Sequence, residues 1–238
     1  MSATPAKTAV IVGASGGIGR ALTEAILARG RYDTVHALSR SGTAIAGTVP
    51  GRIDIEDEAS IATAAETVGA TALVICATGL LHDGDYGPEK NRRALSAPDL
   101  GRAFALNAIG PALVAKHFLP LLPRKDRGVF AALSARVGSI SDNRLGGWYG
   151  YRASKAALNQ LIRTLSIELA RQKPQAICVA LHPGTVDTRL SEPFQGNVPD
   201  GKLFTPGYSA ERLLEVLDGL TPAQTGRLFA WDGDEIAP

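Results

Sequence analysis

The sequence predicts an α/β fold in which a doubly wound, mostly parallel seven-stranded sheet carries helices on both faces, all within one domain over residues 1–238. Two observations carry this. Short apolar runs alternate with helical patterns along the whole length, with no linker and no internal repeat between them. The first run also leads directly into a glycine-rich turn and then a helical pattern, the parts of a phosphate-binding crossover.

Taken in order, Lys7–Val12 is the first strand, and Gly13-Ala14-Ser15-Gly16-Gly17-Ile18-Gly19 is the turn before a helix from Arg20 to Ala28. Glycines permit a tight turn and close backbone approach, and the free N–H groups at a helix start favour an anion. Thr34–Ser39 is the second strand. No acidic side chain stands at its end to bind a free ribose hydroxyl, whereas Arg40 there suits the extra phosphate of NADP. A third strand over 48–55 ends near Asp54, a carboxylate placed to meet an adenine amino group or to cap a helix beginning near Glu58. Ala72–Cys76 is a fourth, buried strand, and the small residues Ala77, Thr78 and Gly79 after it let a cofactor lie against the strand end.

A loop from Leu80 to Ala97 precedes a long helix over Asp99–Leu122 that is apolar on nearly every side, as expected of a helix set between the sheet and a partner subunit. Pro111 has no N–H for the carbonyl of Asn107, so a bend is expected there, with an ordered water on the freed oxygen. Gly128–Leu133 is the fifth strand, followed by Ser134 to Ser139 and a polar loop to Trp148. A helix runs from Gly150 to Ala170, and Ala176–Leu181 is the sixth strand. Beyond it lie Pro183 to Thr188, a loop marked by Pro193, Pro199, Gly201 and Pro206, a helix near Ser209–Leu217, and a last strand over Arg227–Trp231.

Composition narrows the function. Hydrophobic residues at 45% supply a core, and 25 basic against 23 acidic residues, net +2, give no field to gather nucleic acid or an anionic membrane. There is no run of eighteen apolar residues, and Met1–Lys7 lacks the charged and apolar regions of a secretion signal, so a cytoplasmic protein is expected. Cys76 and Cys178 sit in apolar runs and read as buried free thiols; the four histidines have no ligand spacing, so no metal is expected.

The chemistry centres on Tyr151 and Lys155, four apart on one helix face. A cation held beside a phenol favours its anion and lowers a pKa that is ordinarily near ~10, which would let Tyr151 exchange a proton with a substrate oxygen. Tyr149 lacks such a lysine and reads as a pocket wall or packing residue.

Together these motifs resemble the short-chain dehydrogenase/reductase family, with a single Rossmann domain, over nearly the whole chain. The resemblance rests on Gly13 to Gly19, Cys76-Ala77-Thr78-Gly79, Asn107, Tyr151 to Lys155, and Pro183-Gly184 to Thr188. Within it, Ser139 to Asn143, Gly146 to Tyr149, Pro88-Glu89-Lys90 and Trp231 to Ile236 resemble the C-factor and sniffer-like carbonyl reductases. The resemblance implies hydride transfer between the nicotinamide of NADP and a small carbonyl or alcohol, with Tyr151 as acid/base. Lys155 would lower its pKa and hold the ribose, and Asn107 would anchor a relay water. It implies cofactor contacts at Gly13, Ser15, Gly16, Gly17, Ile18, Gly19, Arg40, Asp54, Ala77, Thr78, Gly79, Asn107, Tyr151, Lys155, Pro183, Gly184, Val186 and Thr188. It further implies a substrate loop around 189–208 and a homodimer or homotetramer. One position departs from the pattern: the register of the family's catalytic serine falls on Ala135. Ser134 is taken as that serine, with Ser139 as the alternative. The departure also leaves a second class open, a cofactor-binding regulatory or signalling protein with little catalysis.

Overall fold

The computed structural model describes residues 7–238, so the secretion-signal reading lies outside the described residues for Met1–Ala6. β1 (Thr8–Val12) leads into the glycine turn, and α1 (Gly17–Arg29) and β2 (Thr34–Ser39) follow. β3 (Val49–Arg52), α2 (Glu58–Val68) and β4 (Leu73–Cys76) complete the first half. The second half runs through α3 (Ala97–Phe104), α4 (Gly110–Phe118), β5 (Gly128–Leu133), α5 (Tyr149–Gln172) and β6 (Ala176–His182). A short pair, β7 (Thr185–Val186) and β8 (Leu203–Phe204), precedes α6 (Pro206–Gly219), β9 (Leu228–Ala230) and β10 (Glu235–Ile236).

The main sheet has the order β3-β2-β1-β4-β5-β6-β9-β10, parallel throughout except for β10. It therefore holds eight strands rather than the expected seven. β10 is two residues long and one of them is an exposed glutamate, so no apolar run marks it in the sequence. The order reverses between β1 and β4, and in such sheets the crevice beyond the strand ends at that point is where ligands bind.

Alternation along each strand builds two cores. Val10, Val12, Val74, Phe130 and Cys178 face one side with Ile61 of α2, Val114 and Phe118 of α4, and Leu158 and Ile162 of α5. Ala9, Ile11, Ile75, Val129 and Ile177 face the other with Leu22 and Ile26 of α1 and Leu213, Leu214 and Leu217 of α6. Both cysteines are buried free thiols, and burial pushes Cys178 up to about 12.

The long helix expected over Asp99–Leu122 starts at Ala97 and is broken. Between α3 and α4, Ala105–Ile109 forms a π-turn, closed by Gly110 N–H donating to Ala105 O. Proline at 111 cannot donate to Asn107, and the chain answers by widening one turn. The stretch Ala97–Leu121 is long and apolar enough to cross a membrane by length and composition alone. Here it packs against α2 and α5 and fills the first core. Its all-round burial is incomplete, since Ile109 stays 52% exposed.

Phe118 is fully buried on the sheet side of α4. Phe118→Ala is expected to cost about 3–5 kcal/mol of unfolding free energy, read from the shift of the urea midpoint at unchanged slope.

Candidate active site

A cleft of about 620 Å3 opens at the carboxyl ends of the parallel strands. Ser15, Gly16, Gly17 and Ile18 line its floor beside Gly13. No side chain caps α1, so the N–H groups of its first turn are left to the cleft. The glycines are needed for space. A Cβ on Gly17 would lie 2.6 Å from Cγ2 of Thr188, and one on Gly19 would lie 2.2 Å from the main-chain oxygen of Gly13. Gly19 is thus buried beneath the turn, where it lets helix and strand approach, and does not line the cleft.

Arg40 and Asp54 lie together at one end of the cleft, after β2 and β3. Asp57, not Asp54, caps α2, accepting from Ala59 N–H at 3.0 Å. Ala77, Thr78, Gly79, Pro183 and Thr188 line the middle. Gly184 and Val186 do not. Gly184 adopts φ +81° and packs against Phe204, and Val186 is buried.

At the far end the cleft reaches Tyr151, Lys155, Leu133 and Ser134. Lys155 is buried, and its Nζ donates to the main-chain oxygen of Leu133 at 2.8 Å while lying 5.9 Å from the centre of the Tyr151 ring. Burial pulls the ammonium down to about 8. Burial pushes the Tyr151 phenol up to about 12, with the Tyr86 phenol adding to the rise. This reverses the direction expected from the pair alone, because at this separation desolvation outweighs the attraction of the cation.

Asn107 stands behind the cleft wall. Its Oδ1 accepts from Leu80 N–H at 2.7 Å, and its Nδ2 donates to Leu80 O at 2.8 Å and to Ser154 Oγ at 3.2 Å. It thereby ties the strand-end loop to α5 one residue before Lys155. Of the two candidate serines, Ser134 lines the cleft and Ser139 does not. Ser134 Oγ donates to Asn159 Oδ1 at 2.7 Å, so it offers the cleft an acceptor unless it releases Asn159. Ser139 is buried, accepting from Asp142 N–H at 3.1 Å.

The loop around 189–208, expected to close over substrate, is anchored at its base by the parallel pair β7 and β8. Its Phe194 meets His82 and Trp148 edge-on, and Trp148 meets Tyr151 edge-on in turn. Tyr149 is exposed and does not line the cleft. His82, read from the sequence as a structural or loop residue, lines the cleft, as do Asp83 and Arg102, which sequence reasoning did not single out. His82 and Asp83 fall in the 80–97 loop, where no periodicity marks them, and Arg102, on α3, pairs with Asp83.

The sequence model for short chain dehydrogenases matches residues 7–198, most of this chain. The chain belongs to the short-chain dehydrogenase family. This dehydrogenase is 39% identical over 139 residues to the C-signal protein of Myxococcus xanthus, covering 58% of this chain and 78% of that one. It is 28% identical over 233 residues to a 1-hydroxy-2-glutathionyl-2-methyl-3-butene dehydrogenase of Rhodococcus sp. strain AD45, covering 95% and 97% of the two. Its structure superposes on an NADPH-bound carbonyl reductase from chicken fatty liver with a TM-score of 0.84 at 25% identity, over 98% of this chain and 94% of that one.

The lowered pKa of Lys155 has a signature in stability. Its folded value of about 8 lies below its ordinary 10.5, so between those values the unfolded chain binds more protons and stability rises with pH. In Lys155→Met that rise, on the order of 3 kcal/mol, is expected to be missing when urea unfolding of both proteins is compared from pH 8 to 10.5.

Proposed function

We propose that this chain is an NADP-dependent carbonyl reductase or alcohol dehydrogenase, with Tyr151 as its acid/base. One observation carries the reading: the Tyr151 phenol and Lys155 ammonium open into the same cleft as the glycine turn. The residues present fit the cofactor. The uncapped start of α1 suits a pyrophosphate, Gly17 and Thr188 meet without room for a further carbon, and exposed Arg40 suits a ribose phosphate. NADPH bound there supplies hydride.

The chain's own groups handle the proton and the charge. With its pKa at about 12 Tyr151 is neutral at physiological pH, so it holds a proton ready for a substrate oxygen that is gaining negative charge. Lys155, cationic below about 8, places positive charge beside the same oxygen and within reach of a ribose hydroxyl. Ser134, on releasing Asn159, donates to the substrate oxygen, and Asn107 holds the Leu80 loop and Ser154 in place. The chicken carbonyl reductase with NADPH supports both the activity and the cofactor. In the same reading one domain works in the cytoplasm on a small carbonyl or alcohol, as a homodimer or homotetramer, with no nucleic-acid or membrane partner.

A second reading, a cofactor-binding signalling protein with little catalysis, is favoured by Ala135 in the serine register and by the likeness to C-signal. Turnover of a panel of aldehydes, ketones and quinones with NADPH separates the two. The enzymatic reading expects turnover well above background, with Tyr151→Phe lowering kcat by about 10²-fold or more while NADPH fluorescence titration stays unchanged. An active Tyr151→Phe protein contradicts the mechanism. For the cofactor, Arg40→Asp is expected to weaken NADPH binding at least ~10-fold and to leave NADH binding within about twofold, a contrast set by one charge-assisted contact.

A further inference from the structure

Helix α5 carries both Tyr151 and Lys155, yet its start has no cap of its own. The residue before it, Trp148, has no side-chain oxygen and sits at φ +52°, alone among the described non-glycine residues in having a positive φ. The orphan N–H groups of a first turn need acceptors. Glu89, from the loop after β4, supplies one for Gly150 and holds the residue just before the helix. Its carboxylate Oε2 accepts from Gly150 N–H at 2.9 Å, and its main-chain oxygen accepts from Trp148 N–H at 2.6 Å.

Glu89 is 5% exposed, no cation pairs with it among the described residues, and Oε1 has no partner. A buried carboxylate without a counterion is unfavourable unless something else compensates it. Here the positive end of α5 does so. The niche is tight: a Cβ on Gly150 would lie 2.9 Å from Oε1 and 3.4 Å from Ala103 Cβ. Gly150 directly precedes Tyr151, and Trp148 rests edge-on against the phenol ring with centroids 6.2 Å apart. The carboxylate and carbonyl of one residue thus grip the chain on both sides of Tyr149 and set where Tyr151 begins.

The geometry points to Glu89 as a positioning residue for Tyr151, a cap from a distant loop that holds the acid/base at its place in the cleft and Trp148 against it. This rests on the reading of Tyr151 given above. Glu89→Ala is expected to lower kcat by about tenfold or more, as misplacement of a catalytic group does, with the NADPH dissociation constant within about twofold of the parent. Glu89→Gln keeps an oxygen for Gly150 N–H and is expected to restore kcat to within about threefold. Gly150→Ala, which leaves Glu89 in the chain but crowds its carboxylate, is expected to reproduce the loss and reads the same contact where Glu89→Ala does not fold. A glutamine variant as impaired as the alanine variant, or a loss confined to NADPH binding, overturns the inference. An inactive Tyr151→Phe beside an unimpaired Glu89→Ala and Gly150→Ala sinks this inference alone. An active Tyr151→Phe sinks the reaction reading, and this inference with it.

Discussion

Lys155 donates from the buried face of α5 to the main-chain oxygen of Leu133, and that contact ties the helix to the end of β5 at the mouth of the cleft. An ammonium out of water must be held by fixed dipoles or lose its proton. The surroundings of Lys155 are arranged accordingly. Gly138 has no room for a side chain, since a Cβ there would lie 2.9 Å from Cβ of Lys155, and this lets the turn after β5 close over the helix. Asn107 and Ser154 fasten the loop after β4 to the same stretch of α5. One strand and the loops after β4 and β5 thus converge on one turn of helix.

Most of the architecture could be read in advance because parallel strands buried on both faces leave unbroken apolar runs, and glycine turns leave their own spacing. β1, β4, β5 and β6 are such strands, and all lie where the runs fall. The misses have physical causes. β10 is held by antiparallel pairing to β9 rather than by apolar content, so it leaves no pattern. The π-turn is a response of the backbone to Pro111 and Asn107 together, and a hydrophobicity pattern does not register it.

The site was legible to the same extent. Motif residues that face the cleft came out directly, whereas spacing cannot tell a residue that lines a cavity from one that makes room for close packing, as Gly19 and Gly184 do, or from one buried away from it, as Val186 is. Nor does spacing carry burial. Tyr151 and Lys155 four apart argue for an acidified phenol, but enclosing both moves the phenol up and the amine down. Glu89 was beyond reach for a related reason: its contact with Gly150 joins residues 61 apart in the chain, and no periodicity links them.

The widened turn at Ala105–Ile109 has one further consequence. Each residue advances a helix by about 100°, so a turn holding one residue more than usual puts the segments before and after it out of phase by that angle. Asn107 can then point inward at Leu80 while Val114 and Phe118 still present themselves to the sheet about two and three turns later. A single unbroken helix would have to choose between these two directions. The irregularity lets one stretch of chain be scaffold on one side and site wall on the other.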